Sequence, residues 1–134
     1  MQIGNNEIYK LLKEKGYNEE EILLSNLVKK TNYGYNDIYK ERLIFPIQDT
    51  RNKYIAFGGR VLDDSKPKYI NSPEGIVYSK GRNLYAMNIA KSANMKNIIM
   101  VEGYMDAVSL HQRGIPNVVA SLRYCTYRRS SKAT

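Results

Sequence analysis

The chain has 134 residues, room for one ordinary domain and little more. Hydrophobic residues make up 43% and charged residues 25%, a balance that excludes a disordered chain, and no run approaches the roughly 18 apolar residues of a membrane-spanning helix. The 21 basic and 13 acidic side chains leave a net charge of +8, which points to a polyanionic partner.

A single cysteine excludes an internal disulfide framework. With only one histidine, a conventional structural zinc site is not expected. The opening segment, MQIGNNEIYKLLKEKGY, lacks an apolar leader, so a cytoplasmic protein is expected. The positive charge is uneven. Arg123, Arg128, Arg129 and Lys132 crowd the last twelve residues with no acid among them, half of the excess. The preceding body is only mildly basic, and its charge alone does not justify a nucleic-acid partner.

Residues 5–30 read as helical. Asn6 suits an N-cap, Ile8, Leu11 and Leu12 recur at i, i+3 and i+4, and Gly16 falls where a glycine ends a helix. Asn18 opens a second helix, in which Glu19, Glu20 and Glu21 suit the positive end of the dipole and Ile22, Leu23 and Leu24 are apolar. Thr31–Asn36 is polar and contains a glycine, so a loop is expected. From Leu43 the period becomes two, with Phe45 and Ile47 alternating against Ile44, Pro46 and Gln48. Asp49–Asn52 is a turn cluster, Tyr54–Phe57 resumes the strand pattern, and Gly58-Gly59 permits a bulge or a close approach. Lys68–Asn71 reads as a further short strand.

Leu84–Met95 has helical spacing. Asn97–Val101 is a short apolar run, expected as a strand buried on both faces. Gly103 follows, then a helix over Met105–Arg113, a Gly114-Ile115-Pro116 stop and a second strand at Asn117–Ser121. This is a β–α–β order whose crossover length implies parallel strands. The methionines read as core filler, His111 as a surface or packed histidine, and Cys125 as chemically isolated.

Two segments carry candidate chemistry. Glu102 stands at the carboxyl end of an apolar strand, where ligands of open α/β sheets bind, and Gly103 lets the chain turn into the helix. A carboxylate there suits Mg²⁺ or proton transfer, with Asp106 in reach from the first helical turn. The same two carboxylates equally suit a helix N-terminus and nothing more. The second segment holds Arg60, Lys68, Tyr69, Asn71, Lys80 and Arg82 among the glycines Gly58, Gly59 and Gly81. Cations neutralise phosphates, glycines admit a backbone, and Tyr69 can stack on a base. A solvated hairpin edge explains the composition as well.

The words ERLIFPIQD, IAFGGRVL, PKYINSPE, SKGRNLY, IIMVEGYMDAVSLHQRGI and VVASL, in this order and spacing, resemble the RNA polymerase core of bacterial DnaG-type DNA primases. The resemblance covers residues 3–122. VEGYMD by itself indicates only a Toprim domain, shared with topoisomerases and some nucleases. It implies a mixed α+β and α/β fold: a helical and β-hairpin N-terminal core subdomain over 1–83, then an incomplete Toprim domain of Rossmann-like βαβ type over 84–122. It implies Glu102 as the catalytic and metal-binding Toprim glutamate, with Asp106 as nearby support. Arg60, Lys68, Asn71, Lys80 and Arg82 become the surface for single-stranded template, ribonucleoside triphosphates and RNA–DNA hybrid. Gly58, Gly59 and Gly103 are structural turn positions. The implied reaction is primer synthesis with Mg²⁺ or Mn²⁺. Non-catalytic single-stranded nucleic-acid binding, and another Toprim protein such as a phage primase–helicase, are the alternatives.

The chain departs from this pattern in three ways. The family's N-terminal zinc-binding domain and the domain that contacts the replicative helicase are missing. So is the downstream Asp-x-Asp metal motif, and the isolated chain is therefore expected to make no primers. The third departure is the tail, residues 123–134. A DNA string that encodes it yields Gly-Thr-Ala-Leu-Thr-Gly-Glu-Ala-Ala-Arg-Gln once its first base is removed, which matches the family's continuation, so a frame shift is expected there; a genuine basic nucleic-acid-binding tail is the rival reading. A truncated Toprim sheet is expected to expose apolar edges at Val118 and Val119.

Overall fold

The computed structural model describes residues 6–122, so the tail and Cys125 lie outside the described residues. Its elements in order are α1 (Glu7–Glu14), α2 (Glu19–Leu24), β1 (Val28–Thr31), β2 (Gly34–Asp37), β3 (Arg42–Gln48), β4 (Tyr54–Val61), β5 (Tyr69–Asn71), β6 (Leu84–Tyr85), α3 (Met87–Ser92), β7 (Ile99–Val101), α4 (Tyr104–Gln112) and β8 (Val118–Ser121). They form a two-stranded sheet β1-β2 and three-stranded sheets β3-β4-β5 and β6-β8-β7. Packing divides the chain into two units. One is the chain up to Ile44 together with Gly59–Ser72; the other is Phe45–Gly58 with the chain from Pro73 onward.

In the first unit, α1 ends as its sequence dictates. Gly16, at φ +94°, bonds back to the Lys13 carbonyl and Tyr17 to that of Leu12, the paired bonds that close a helix at a left-handed glycine. Its start differs from expectation. The Asn6 side chain makes no capping bond; the Asp37 carboxylate accepts from Ile8 N at 2.9 Å and Tyr9 N at 3.3 Å instead. In α2, Asn18 and Glu21 form a reciprocal capping box and Ile22 is buried, while Leu24 is exposed.

The helical reading of 5–30 and the loop at Thr31–Asn36 are both corrected here. Val28–Asp37 is an antiparallel hairpin pairing Val28 with Asp37 and Thr31 with Gly34. Gly34, at φ +121°, permits the tight turn that a polar composition alone had suggested was a loop. Tyr35 stacks on Tyr9 at 4.4 Å, and both hydroxyls donate to the Glu19 carboxylate, at 3.0 and 3.2 Å.

In the second unit the core is built on β8. Val118, Val119 and Ala120 are fully buried, and Val118 and Ala120 pack with Ala107 and Leu110 of α4, Tyr85 of β6 and Val101 of β7. β7 and β8 run parallel, as the crossover length implies, and β6 pairs antiparallel on the other side of β8. His111 ties the crossover helix down, its Nε2 lying 2.9 Å from the Val118 carbonyl.

Three expectations change in this unit. Leu84–Met95 is not one helix, because Leu84-Tyr85 pairs with β8 and the chain turns through Ala86 at φ +67° before α3. The run at 97–101 is not buried on both faces. β7 is the edge of its sheet, with Ile98 49% and Met100 63% exposed. Val118 and Val119 are not exposed edges, because β8 lies between two neighbours.

Candidate functional site

The hairpin β3-β4 turns where Asp49 accepts two backbone bonds, from Arg51 N at 2.8 Å and Lys53 N at 3.0 Å. Those bonds, Lys53 foremost, hold the Asp49 carboxyl below the usual carboxylate range. Buried Asn88 of α3 reaches Gln48 Oε1 at 2.8 Å and Asn52 Oδ1 at 2.9 Å, fixing the same turn.

Gly58 and Gly59 lie within continuous β4, and each is required by an aromatic ring. A Cβ at Gly58 would fall 2.7 Å from the Tyr104 ring; one at Gly59 would fall 2.8 Å from Tyr39 Cδ1. Tyr104 is buried, stacked on Phe45 at 5.0 Å and edge-on to Tyr85 at 4.8 Å. Such pairs contribute about 0.5–1.5 kcal/mol each beyond their burial. Tyr104 follows Glu102-Gly103 directly, so this aromatic cluster anchors the end of the strand that presents Glu102.

Glu102 is exposed and lines an open pocket of about 590 Å³ with Val101, Asp106, Ser109, Leu110 and Arg113. Asp106, Ser109 and Leu110 recur at helical spacing on α4 and Arg113 is its C-cap, so one face of the helix forms a wall of this pocket. Gly103 is the N-cap of α4 at φ −132°, an extended conformation that any residue adopts; a Cβ there would meet Asp106 Oδ2 at an ordinary 3.4 Å. Among the described residues, no group of three or more histidine, cysteine, aspartate and glutamate side chains converges.

Arg60 and Lys68 form a second arrangement, in the first unit. The Arg60 guanidinium lies 5.7 Å from the Tyr69 ring centroid and Lys68 Nζ lies 6.0 Å from it. Arg60 Nε is buried without a hydrogen-bond partner among the described residues. Asn71 shares with Tyr69 one face of β5. Lys80 and Arg82 sit on a turn of the second unit built around Ser79, whose carbonyl accepts from Arg82 N and Asn83 N, each at 3.1 Å. Glu74 accepts from Lys80 N at 2.9 Å.

Sequence reasoning missed Ser109, Arg113 and Arg42. The spacing of Asp106, Ser109 and Arg113 carries a helical signal that places Ser109 and Arg113 beside Asp106 in the pocket. Nothing local in the sequence marks Arg42, whose guanidinium donates to the backbone carbonyls of Gly59, Pro67 and Lys68.

Comparison with known proteins agrees with this architecture. A family profile described as "DNA primase catalytic core, N-terminal domain" matches residues 2–91, and a Toprim-domain profile matches residues 96–126. The chain belongs to the DNA primase catalytic-core family. It is 52% identical over 117 residues to a DNA primase of Clostridium acetobutylicum, covering 87% of this chain and 20% of that one. A DNA primase of Deinococcus radiodurans is 42% identical over 119 residues, 86% of this chain and 21% of its own length.

Among solved structures, a DnaG primase catalytic domain bound to single-stranded DNA is 44% identical with a TM-score of 0.75, over 84% of this chain and 37% of that one. The RNA polymerase domain of Mycobacterium tuberculosis primase DnaG is 32% identical with a TM-score of 0.81, over 88% of this chain and 40% of that one. The chain spans about a fifth of the length of the curated relatives it matches.

Proposed function

We propose that this chain is the part of a bacterial, cytoplasmic DNA primase that holds single-stranded template on a basic, tyrosine-centred strip and supplies the first acidic residue of the Toprim site. The observation that carries this reading is the Arg60–Tyr69–Lys68 arrangement. Two cations flank one aromatic ring, an arrangement that neutralises phosphates and offers a stacking face for a base. Asn71 extends the strip along β5. Lys80 and Arg82 add cations on a turn whose backbone is fixed by hydrogen bonds. The partners are the DNA template, ribonucleoside triphosphates and the growing hybrid.

Glu102 and Asp106 are hard oxygen donors beside one open pocket, which fits Mg²⁺ or Mn²⁺, since Mg²⁺ typically takes one or two carboxylates and keeps its waters. Glu102 would hold the ion, with Asp106 in support. When bound, the ion supplies neutralisation of phosphoryl charge. Glu102 also serves as the acid–base group at the strand's end, and the Tyr104 cluster fixes the backbone beside it.

Two carboxylates do not complete a two-ion site. The 134-residue chain by itself is therefore expected to extend no primer on single-stranded template with Mg²⁺ or Mn²⁺; metal-dependent products would contradict this. On the same reading, zinc and the replicative helicase are held by other domains of the whole primase.

The template reading is tested by titrating labelled oligothymidylate with the chain across a range of salt. Lys68→Glu and Lys80→Glu are each expected to weaken binding and to flatten its salt dependence. Unchanged affinity in both, with all binding lost on removing residues 123–134, would favour the alternative of a tail-borne binding module. Resequencing the source DNA across the Leu122 codon tests the tail itself. Loss of one base, with Gly-Thr-Ala-Leu-Thr restored, is expected; an unchanged frame would refute the shift.

A further inference from the structure

Arg42 belongs to neither cation arrangement, yet it is tied to both ends of one. It is half-buried on β3. Its Nη1 donates to the carbonyls of Gly59 at 3.4 Å and Lys68 at 3.3 Å, and its Nη2 donates to that of Pro67 at 2.8 Å. The Lys68 carbonyl also accepts from Val61 N at 3.0 Å, so it is held from two sides.

Between these ties the chain leaves the sheet through exposed Leu62, Asp63, Asp64, Ser65 and Lys66. The guanidinium therefore bridges the outgoing strand and the returning one. Its planar fork suits several carbonyls at once, whereas a lysine ammonium offers donors from a single point. Gly59 leaves the room for this. A Cβ there would fall 3.2 Å from Arg42 Cδ as well as against Tyr39. With its terminal nitrogens turned to carbonyls, Arg42 presents no free fork to phosphate.

We infer that Arg42 is a positioning residue for nucleic-acid binding: it clamps the Pro67-Lys68 backbone against Gly59 and so sets the spacing at which Arg60 and Lys68 flank Tyr69. This rests on the reading that the Arg60–Tyr69–Lys68 strip holds single-stranded DNA.

The test is a double-mutant cycle in oligothymidylate binding, using the whole chain with Arg42→Gln, Lys68→Met and both together. Each single substitution is expected to weaken binding about ten-fold. The pair is expected to be no more than about two-fold weaker than Lys68→Met, because residues that act through one another are not additive. The salt slope separates positioning from contact. A phosphate contact by Arg42 would lower it by about one further unit in the double variant; positioning leaves it at the Lys68→Met value.

Arg42→Lys keeps the charge and loses the fork, and is expected to match Arg42→Gln. Additive losses, rescue by lysine, or full affinity in Arg42→Gln would overturn the inference while leaving the strip as the binding site. If Arg42→Gln fails to fold by circular dichroism, the cycle is run with Arg42→Lys, judged by the same outcomes. Absence of binding by the unsubstituted chain, or indifference to Lys68→Met, would instead overturn the strip and this inference with it.

Discussion

Gly58 and Gly59 are adjacent in sequence, yet the structure gives them separate reasons. Gly58 yields space to Tyr104, and Gly59 yields it to Tyr39 and Arg42. Gly58→Ala is expected to cost about 1–3 kcal/mol, the usual range for overpacking, because the buried ring it meets is held by Phe45 and Tyr85. Urea denaturation checks this; an unchanged midpoint would mean the ring has somewhere to go. Glu19 makes the second argument at this scale. Hydrogen bonds from Tyr35, then Tyr9, hold its carboxyl below the ordinary range. A depressed folded-state pKa adds stability above the unfolded value and loses it as the pH falls through the lowered one. Glu19→Gln is therefore expected to flatten the acid limb of the stability profile below about pH 5. An unaltered limb would place the acid sensitivity on other carboxylates.

Capping gives a sharp contrast at the level of elements. Asp37→Ala removes the carboxylate that serves Ile8 N and Tyr9 N, and is expected to cost about 1 kcal/mol. Asn6→Ala removes no capping bond and is expected to be near neutral. Equal losses in equilibrium unfolding would contradict that assignment.

The same pair shows where the sequence was legible and where it was not. Asn18 and Glu21 lie three residues apart, so their box is visible in the sequence; Asp37 acts from a strand far along the chain, so no local pattern announces it. The β3-β4 turn was legible because Asp49–Asn52 carries its own hydrogen-bonding groups. The β1-β2 hairpin was not, since Lys29 and Lys30 lack an apolar alternation and its register depends on packing against α1 and α2. Likewise the apolar run 97–101 identified a strand, but which strand becomes the edge is decided by pairing, and that is long-range. For the candidate site, the motifs nominated the residues, whereas the Tyr104 cluster and the Arg42 hydrogen bonds emerged only from the fold.

At the scale of the whole molecule, the sheet β6-β8-β7 leaves, among the described residues, an apolar edge at Ile98, Ile99 and Met100. Unpaired strands of this kind recruit other chains. The isolated chain is expected to self-associate with rising concentration in sedimentation velocity, and Met100→Lys is expected to reduce this. Monomeric behaviour of the unsubstituted chain at high concentration would contradict it.

The central claims are that template touches the Arg60–Tyr69–Lys68 strip and, separately, the Ser79 turn, and hydrogen exchange with and without single-stranded oligothymidylate tests both most directly. The account predicts new protection within residues 60–71 and 79–83, with none added in α1. Protection confined to residues 123–134, or none in either predicted segment, would contradict it.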